Sequence, residues 1–200
     1  MVKNHGYYGY YFRAVFNADK WLSYIQKKQK NRMSYTEESL RKMHLKAVAS
    51  YKSMKLFTLK LKRIQPQKLD KLMCDQHKQE FSKINCLECA NCCKTISPAM
   101  YDSDIKRIAI ALKMKPSDVI YTYLQLDKDG EYIFRNTPCP FLDENNLCLI
   151  YNSRPKACRE YPHTDRKRFY QILNISARNS KVCPAVFNII ERMRKNNPFA

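Results

Sequence analysis

Glycine is nearly absent from this chain: 200 residues contain 3. No glycine-rich strand-to-helix loop of the kind that cradles a nucleotide or a methyl-donor cofactor can be found, which counts against that class of enzyme. Long apolar runs are missing as well. No window reaches the roughly 18 apolar residues of a membrane span. The first twenty residues, MVKNHGYYGYYFRAVFNADK, carry aromatics and charges where a secretory signal needs an unbroken apolar stretch. The expectation is a cytoplasmic protein without a transmembrane segment. There is also no internal repeat and no low-complexity tract.

Acidic residues are scarce: 18 Asp and Glu face 37 Lys and Arg, for a formal net charge of +19. The surplus is uneven. Residues 1–84 hold 19 Lys/Arg against 6 Asp/Glu, whereas residues 85–200 hold 18 against 12. Lysines interleaved with tyrosines, as in WLSYIQKKQKNRMSY, suit phosphate contacts and base stacking, so nucleic acid is one candidate partner of residues 1–84. A solvated helix face and an acidic protein partner are the other two readings, and no nucleic-acid motif is recognisable.

What the chain does have is cysteine, nine of them, within a sequence that is 44% hydrophobic and long enough to bury a core without crosslinks. In a reducing compartment disulfides are disfavoured, and nine is odd, so the thiols point to metal or redox chemistry. Four of them crowd into NCLECANCCK at residues 85–94. A C-x2-C step turns two sulfurs to one side of a tight loop, as in tetrahedral zinc sites and iron–sulfur loops, and Cys86, Cys89 and Cys92 make two such steps in succession. Neighbouring side chains diverge, so Cys92 and Cys93 do not read as ligands of one mononuclear ion. The doublet indicates two metal positions, or one ligand and one spare. Cys139, Cys148, Cys158 and Cys183 add four sulfurs from separate places, enough for two sites of four. Cys74 reads as a packed thiol on a helix, and His163 as a surface or packed imidazole outside the site.

The local punctuation predicts an α-rich (α+β) fold: a small metal-binding domain over 85–200, with a short hairpin, preceded by a basic helical extension over 1–84. Ser34 with Glu37 has capping-box spacing, and a helix should run from near Tyr35 to about Ile64 before Pro66 breaks it. Leu69, Leu72, Met73, Phe81 and Ile84 fall on one face of a second helix. Asp102 or Ser103 can cap a third, and Pro116 opens a fourth through SDVIYTYL. EYIF and LCLIY, flanked by the turn sequences DKDG and DENN, read as the strands of the hairpin. Cys183 stands at the N-cap of a last helix with Pro184 in its first turn, where exposed amides should favour the thiolate. Arg154 and Arg159 can offset sulfur charge, and Arg154 and Tyr161 can pin their loop through backbone hydrogen bonds.

The run CLECANCC, then CPFL, then CLIYNSRPKACREYP, and finally CP resembles the YkgJ-type cysteine-cluster family, also called CxxCxxCC, a zinc- or iron-chelating domain. The resemblance covers residues 85 to 184 or so. It implies metal binding with Cys86, Cys89, Cys92, Cys93, Cys139, Cys148, Cys158 and Cys183 at the family's cysteine positions. From their own placement, Arg154, Arg159 and Tyr161 are candidates for the surrounding shell. A related cysteine set occurs with an iron–sulfur cluster in flagellin lysine methylases, so a component for electron transfer or protein modification, holding a cubane cluster, is the alternative to a zinc or iron module that docks on a protein partner. The loop of Cys86, Cys89 and Cys92, with Cys139 or Cys183 as a remote fourth ligand, also parallels bacterial ferredoxins, apart from the adjacent Cys93.

Overall fold

The computed structural model describes residues 35–196 and Phe199. Thr36 begins the first helix: its hydroxyl accepts the Ser39 amide at 3.1 Å, and Glu37 and Glu38 place negative charge at the positive end of the helix. Helix α1 runs Glu37–Lys60 and tightens into a 3-10 turn at Leu61–Arg63. Ser34, the cap expected from the sequence, lies outside the described residues. Pro66 then opens α2, Pro66–Phe81, which buries Leu69 and Met73 as the spacing predicts.

Two very short helices follow, α3 at Cys86–Cys89 and α4 at Asn91–Thr95. Beyond them come α5, Asp102–Leu112, α6, Pro116–Tyr123, and an antiparallel pair of strands, β1 at Leu124–Leu126 and β2 at Tyr132–Phe134. The later chain forms α7, Lys156–Glu160, a 3-10 turn at Phe169–Ile172, α8, Leu173–Asn179, and α9, Pro184–Lys195. Helices dominate, so the α-rich reading with one small sheet holds. Among the described residues no helix is long and apolar enough to cross a membrane.

The hairpin differs in its partners from the one expected. EYIF does become β2, but it pairs with Leu124–Leu126, placing Leu124 opposite Phe134, both buried in the same core. Asp127 shapes the turn by accepting the amides of Asp129 and Glu131 at 2.8 and 3.0 Å, and Gly130 takes φ +78°, the left-handed region glycine tolerates. LCLIY is not a strand. It reaches its neighbour through one isolated bridge, Leu142 to Cys148, because the Asp143 carboxylate captures the Asn145 and Leu147 amides at 2.9 and 2.6 Å and coils the segment.

Two apolar cores result. In the first, Met54 and Leu61 of the α1 region, Leu69 and Met73 of α2, Phe169 and Leu173, and Val186 and Ile189 of α9 pack together with Ile84 and Cys183, which flank the cysteine segment. This core draws on both sides of residue 84. The second gathers Ile105 and Ile108 of α5, Val119 of α6, Leu124, Phe134, Phe141 and Ile150. The segment 85–95 is one joint between them, leaving the first core at Ile84 and entering the second at Met100, and the chain returns to the first between Ile150 and Phe169.

Candidate metal centre

Local chemistry folds the joint tightly. Asn85 caps α3 by accepting the Leu87 amide at 3.1 Å and donates to Glu88 at 2.9 Å. Ala90 then takes φ +45°, a left-handed conformation that breaks α3 and restarts the chain as α4, at a cost of about 1 kcal/mol. The next residue, Asn91, donates its side-chain amide to the Val182 carbonyl at 2.6 Å. That bond brings Cys183 to the loop of Cys86, Cys89 and Cys92, and these four cysteines line one cavity with Tyr161 and Pro162.

Cys183 is held from behind. It is the N-cap of α9, as its position before Pro184 predicts. Helix α9 is fixed to α2 through the buried Glu80 carboxylate, which accepts Arg192 at 2.6 Å and Asn188 at 2.8 Å, while Arg192 also donates to Gln76 at 2.6 Å. The Tyr161 hydroxyl is buried in the cavity wall and has no hydrogen-bond partner among the described residues.

The other cysteines assemble on the opposite side of the doublet. The Cys139 amide donates to the Cys93 carbonyl at 2.8 Å, and the Leu142 amide donates to the Cys139 carbonyl at 3.0 Å. The Leu142–Cys148 bridge carries Cys148 back beside Cys139. Cys158 lies on α7, whose start is fixed by Asp104: this buried carboxylate accepts the Lys156 amide at 3.0 Å, the Tyr101 amide at 3.1 Å and the Arg107 guanidinium. Arg107 in turn donates to the Arg154 carbonyl at 2.7 Å. Arg154 donates to the Tyr151 carbonyl at 2.7 Å and its guanidinium lies 3.4 Å over the Tyr151 ring.

Burial dominates the electrostatics. It pushes the Cys139, Cys158 and Cys183 thiols up to about 12 and Cys148 to about 11, and it also raises Cys89. Neighbouring sulfurs add to the rise. Cys86 and Cys89 act on Cys183, while Cys93 acts on Cys139, Cys148 and Cys158 and also on Cys89. For Cys183 the sequence points to an easily formed thiolate. The Val186 and Ala185 amides do pull it down, but burial outweighs them, so without a cation the sulfur keeps its proton. The Cys92 and Cys93 sulfurs lie 4.0 Å apart. The contact with Cys92, aided by Arg154, holds Cys93 down to about 7, while Cys92 is raised by Cys93 and by burial. Tyr161 is raised by burial and then by the four sulfurs of its cavity, so it remains a donor.

This donor set suits zinc or iron. Thiolates are soft ligands, and buried thiols beside an orphaned hydroxyl are a setting that a bound cation would resolve by ionising the sulfurs. Among the described residues no three His, Cys, Asp or Glu side chains yet converge at the spacing of a bound ion. None of the nine cysteines is in a disulfide. Cys74 is half-buried on α2. Arg159 reaches the Arg154 carbonyl at 3.1 Å, and His163 faces Glu160 at 4.0 Å. Sequence reasoning passed over Asn91, Asp104 and Arg107. They hold the site through bonds to distant backbone, a role with no local signature beyond an uncharged amide or an acid in a helix's first turn.

A family model described as CxxCxxCC, putative zinc- or iron-chelating domain, matches residues 85–184. No curated protein and no solved structure matches the chain.

Proposed function

The chain belongs to the CxxCxxCC family of zinc- or iron-chelating domains, and on that footing we propose that it holds zinc or iron through Cys86, Cys89, Cys92, Cys93, Cys139, Cys148, Cys158 and Cys183. The ions are structural in this reading: they lock the joint between the two apolar cores, and the locked joint is presented to a protein partner. One observation carries it. Four cysteines of the 86–93 segment lie near enough to Cys139, Cys148, Cys158 and Cys183 for their sulfurs to raise one another, and burial makes an unpaired charge costly at these thiols. Arg154 supplies positive charge on one side and the Tyr161 hydroxyl a hydrogen-bond donor on the other.

A second reading is an iron–sulfur component for electron transfer or for modification of another protein. It is favoured by the cavity in which three cysteines of one loop meet Cys183 from elsewhere, the arrangement that holds a cubane cluster in bacterial ferredoxins.

Metal and acid-labile sulfide analysis of protein isolated without oxygen separates the two. Colourless protein with roughly two zinc ions per chain supports the structural module. Brown protein with sulfide supports the cluster. Cys89→Ser should lower the metal content in either case, and Cys74→Ser should leave it unchanged. Protein that carries neither metal and takes up neither from solution defeats both readings.

A further inference from the structure

The geometry points to a division of the eight cysteines between Cys92 and Cys93 into two four-sulfur centres, one of Cys86, Cys89, Cys92 and Cys183, the other of Cys93, Cys139, Cys148 and Cys158. This rests on the chelating reading above and assigns its ligands.

Cys92 and Cys93 are consecutive residues of α4, and consecutive helical side chains leave the axis about 100° apart. The helix turns the two side chains toward different neighbours, while their sulfurs stay 4.0 Å apart. On the Cys92 side, the cavity is lined by Cys86, Cys89, Cys92 and Cys183, and Cys93 is not part of it. The Asn91 to Val182 hydrogen bond closes that side by bringing the residue before Cys183 to the residue before Cys92. On the Cys93 side, the Cys139 amide is bonded to the Cys93 carbonyl at 2.8 Å, and the Leu142 bridge folds Cys148 back next to Cys139.

The cores follow the same division. Cys183 is buried in the first core, where Tyr161 also packs, whereas Cys139 and Cys148 pack against the second. Each side also has its own compensation for a tetrathiolate site, whose formal charge with a divalent ion is about −2. The buried, partnerless Tyr161 hydroxyl lies in the cavity of the first, ready to donate to a sulfur. Arg154 lies on the second side, its carbonyl held by Arg107, whose partner Asp104 fixes the start of the Cys158 helix.

The 4.0 Å contact between the Cys92 and Cys93 sulfurs makes the two centres neighbours. It also defines the rival arrangement, a single cluster with bridging thiolates.

Cadmium, a soft divalent ion that takes thiolate ligands, reads the ligand set directly. The full chain, unsubstituted, is loaded with the NMR-active cadmium isotope, and scalar couplings from the metal to cysteine β-protons are mapped. Two cadmium resonances are expected, one coupled to Cys86, Cys89, Cys92 and Cys183 and the other to Cys93, Cys139, Cys148 and Cys158. A cysteine coupled to both ions, an ion coupled to members of both sets, or a single cadmium resonance overturns the division while leaving chelation intact. Failure to take up cadmium at all would instead remove the chelating reading, and the division with it. In Cys183→Ser the first resonance should disappear with the second unshifted, and in Cys158→Ser the reverse. If either variant fails to fold, the coupling map of the unsubstituted chain still decides.

Discussion

The side-chain amide of Asn91 donates to the carbonyl of Val182 across 91 positions of sequence, at 2.6 Å. No element periodicity produces this contact, yet it places Cys183 beside the C-x2-C loop. Closing so long a loop has a conformational cost, which this bond meets together with the packing of α9 in the first core. Asn91→Ala should lower the stability of the metal-free protein by about 1–2 kcal/mol, since it leaves a partly buried carbonyl without its donor. It should also speed metal loss to a chelator. Thermal unfolding and chelator competition measure the two effects, and an unchanged rate of metal loss would separate the bond from the site.

Asp104 is 1% exposed and fixes the start of the Cys158 helix. Burial tends to raise its carboxyl, but Arg107 and the amides of Tyr101 and Lys156 together hold it below the usual carboxylate range. Because the folded value lies below the unfolded one, its stabilising contribution is present above about pH 4 and is lost as pH falls through the folded value. Asp104→Asn should cost roughly 2 kcal/mol near neutral pH. The gap from the unsubstituted chain should narrow on acidification, as followed by denaturant titration at several pH values. A gap that widens toward acid would contradict this account of Asp104.

The helices were the legible part of this chain because glycine is scarce and prolines mark several of their starts. Pro66 and Pro116 sit at helix starts, and the spacing of Leu69 and Met73 marks the buried face of α2. The Cys183–Pro184 step likewise announces the start of α9. Strand partners were less legible. Leu124 continues the pattern of α6 but is taken by Phe134, while the apolar run around Cys148 is coiled by the Asp143 carboxylate. The eight cysteines could be picked out by spacing and family resemblance, but not sorted into groups. Sorting depends on Asn91, on the Cys93–Cys139 backbone bond and on burial, all of them long-range. Burial is also why the protonation of Cys183 runs against its helix-capping position.

Metal binding should release protons. Thiols held up to about 11 or 12 are protonated at neutral pH and must ionise to become ligands, whereas Cys93, held down to about 7, is already partly ionised. Affinity should therefore rise with pH across the neutral range. Calorimetric titration of zinc into metal-free protein, in buffers of different ionisation enthalpy, should give a release of roughly seven protons for eight coordinating thiols. No release, or tighter binding at lower pH, would contradict thiolate ligation.

Tyr161→Phe should act with opposite sign in the two forms. Without metal the substitution removes a buried hydroxyl that has no partner, so stability should hold or rise. With metal the same hydroxyl is expected to donate to a charged sulfur, and its loss should cost about 1.5–3 kcal/mol and accelerate release to a chelator. Equal effects on both forms, measured by thermal unfolding, would show that the hydroxyl does not serve the centre.

X-ray absorption at the zinc and iron edges, on protein isolated without oxygen, tests the central claim most directly. The account predicts stoichiometric metal with a nearest shell of sulfur alone, at about 2.3 Å for zinc with four neighbours per ion. A shell of oxygen or nitrogen, or metal in trace amounts that exchanges freely, would contradict it.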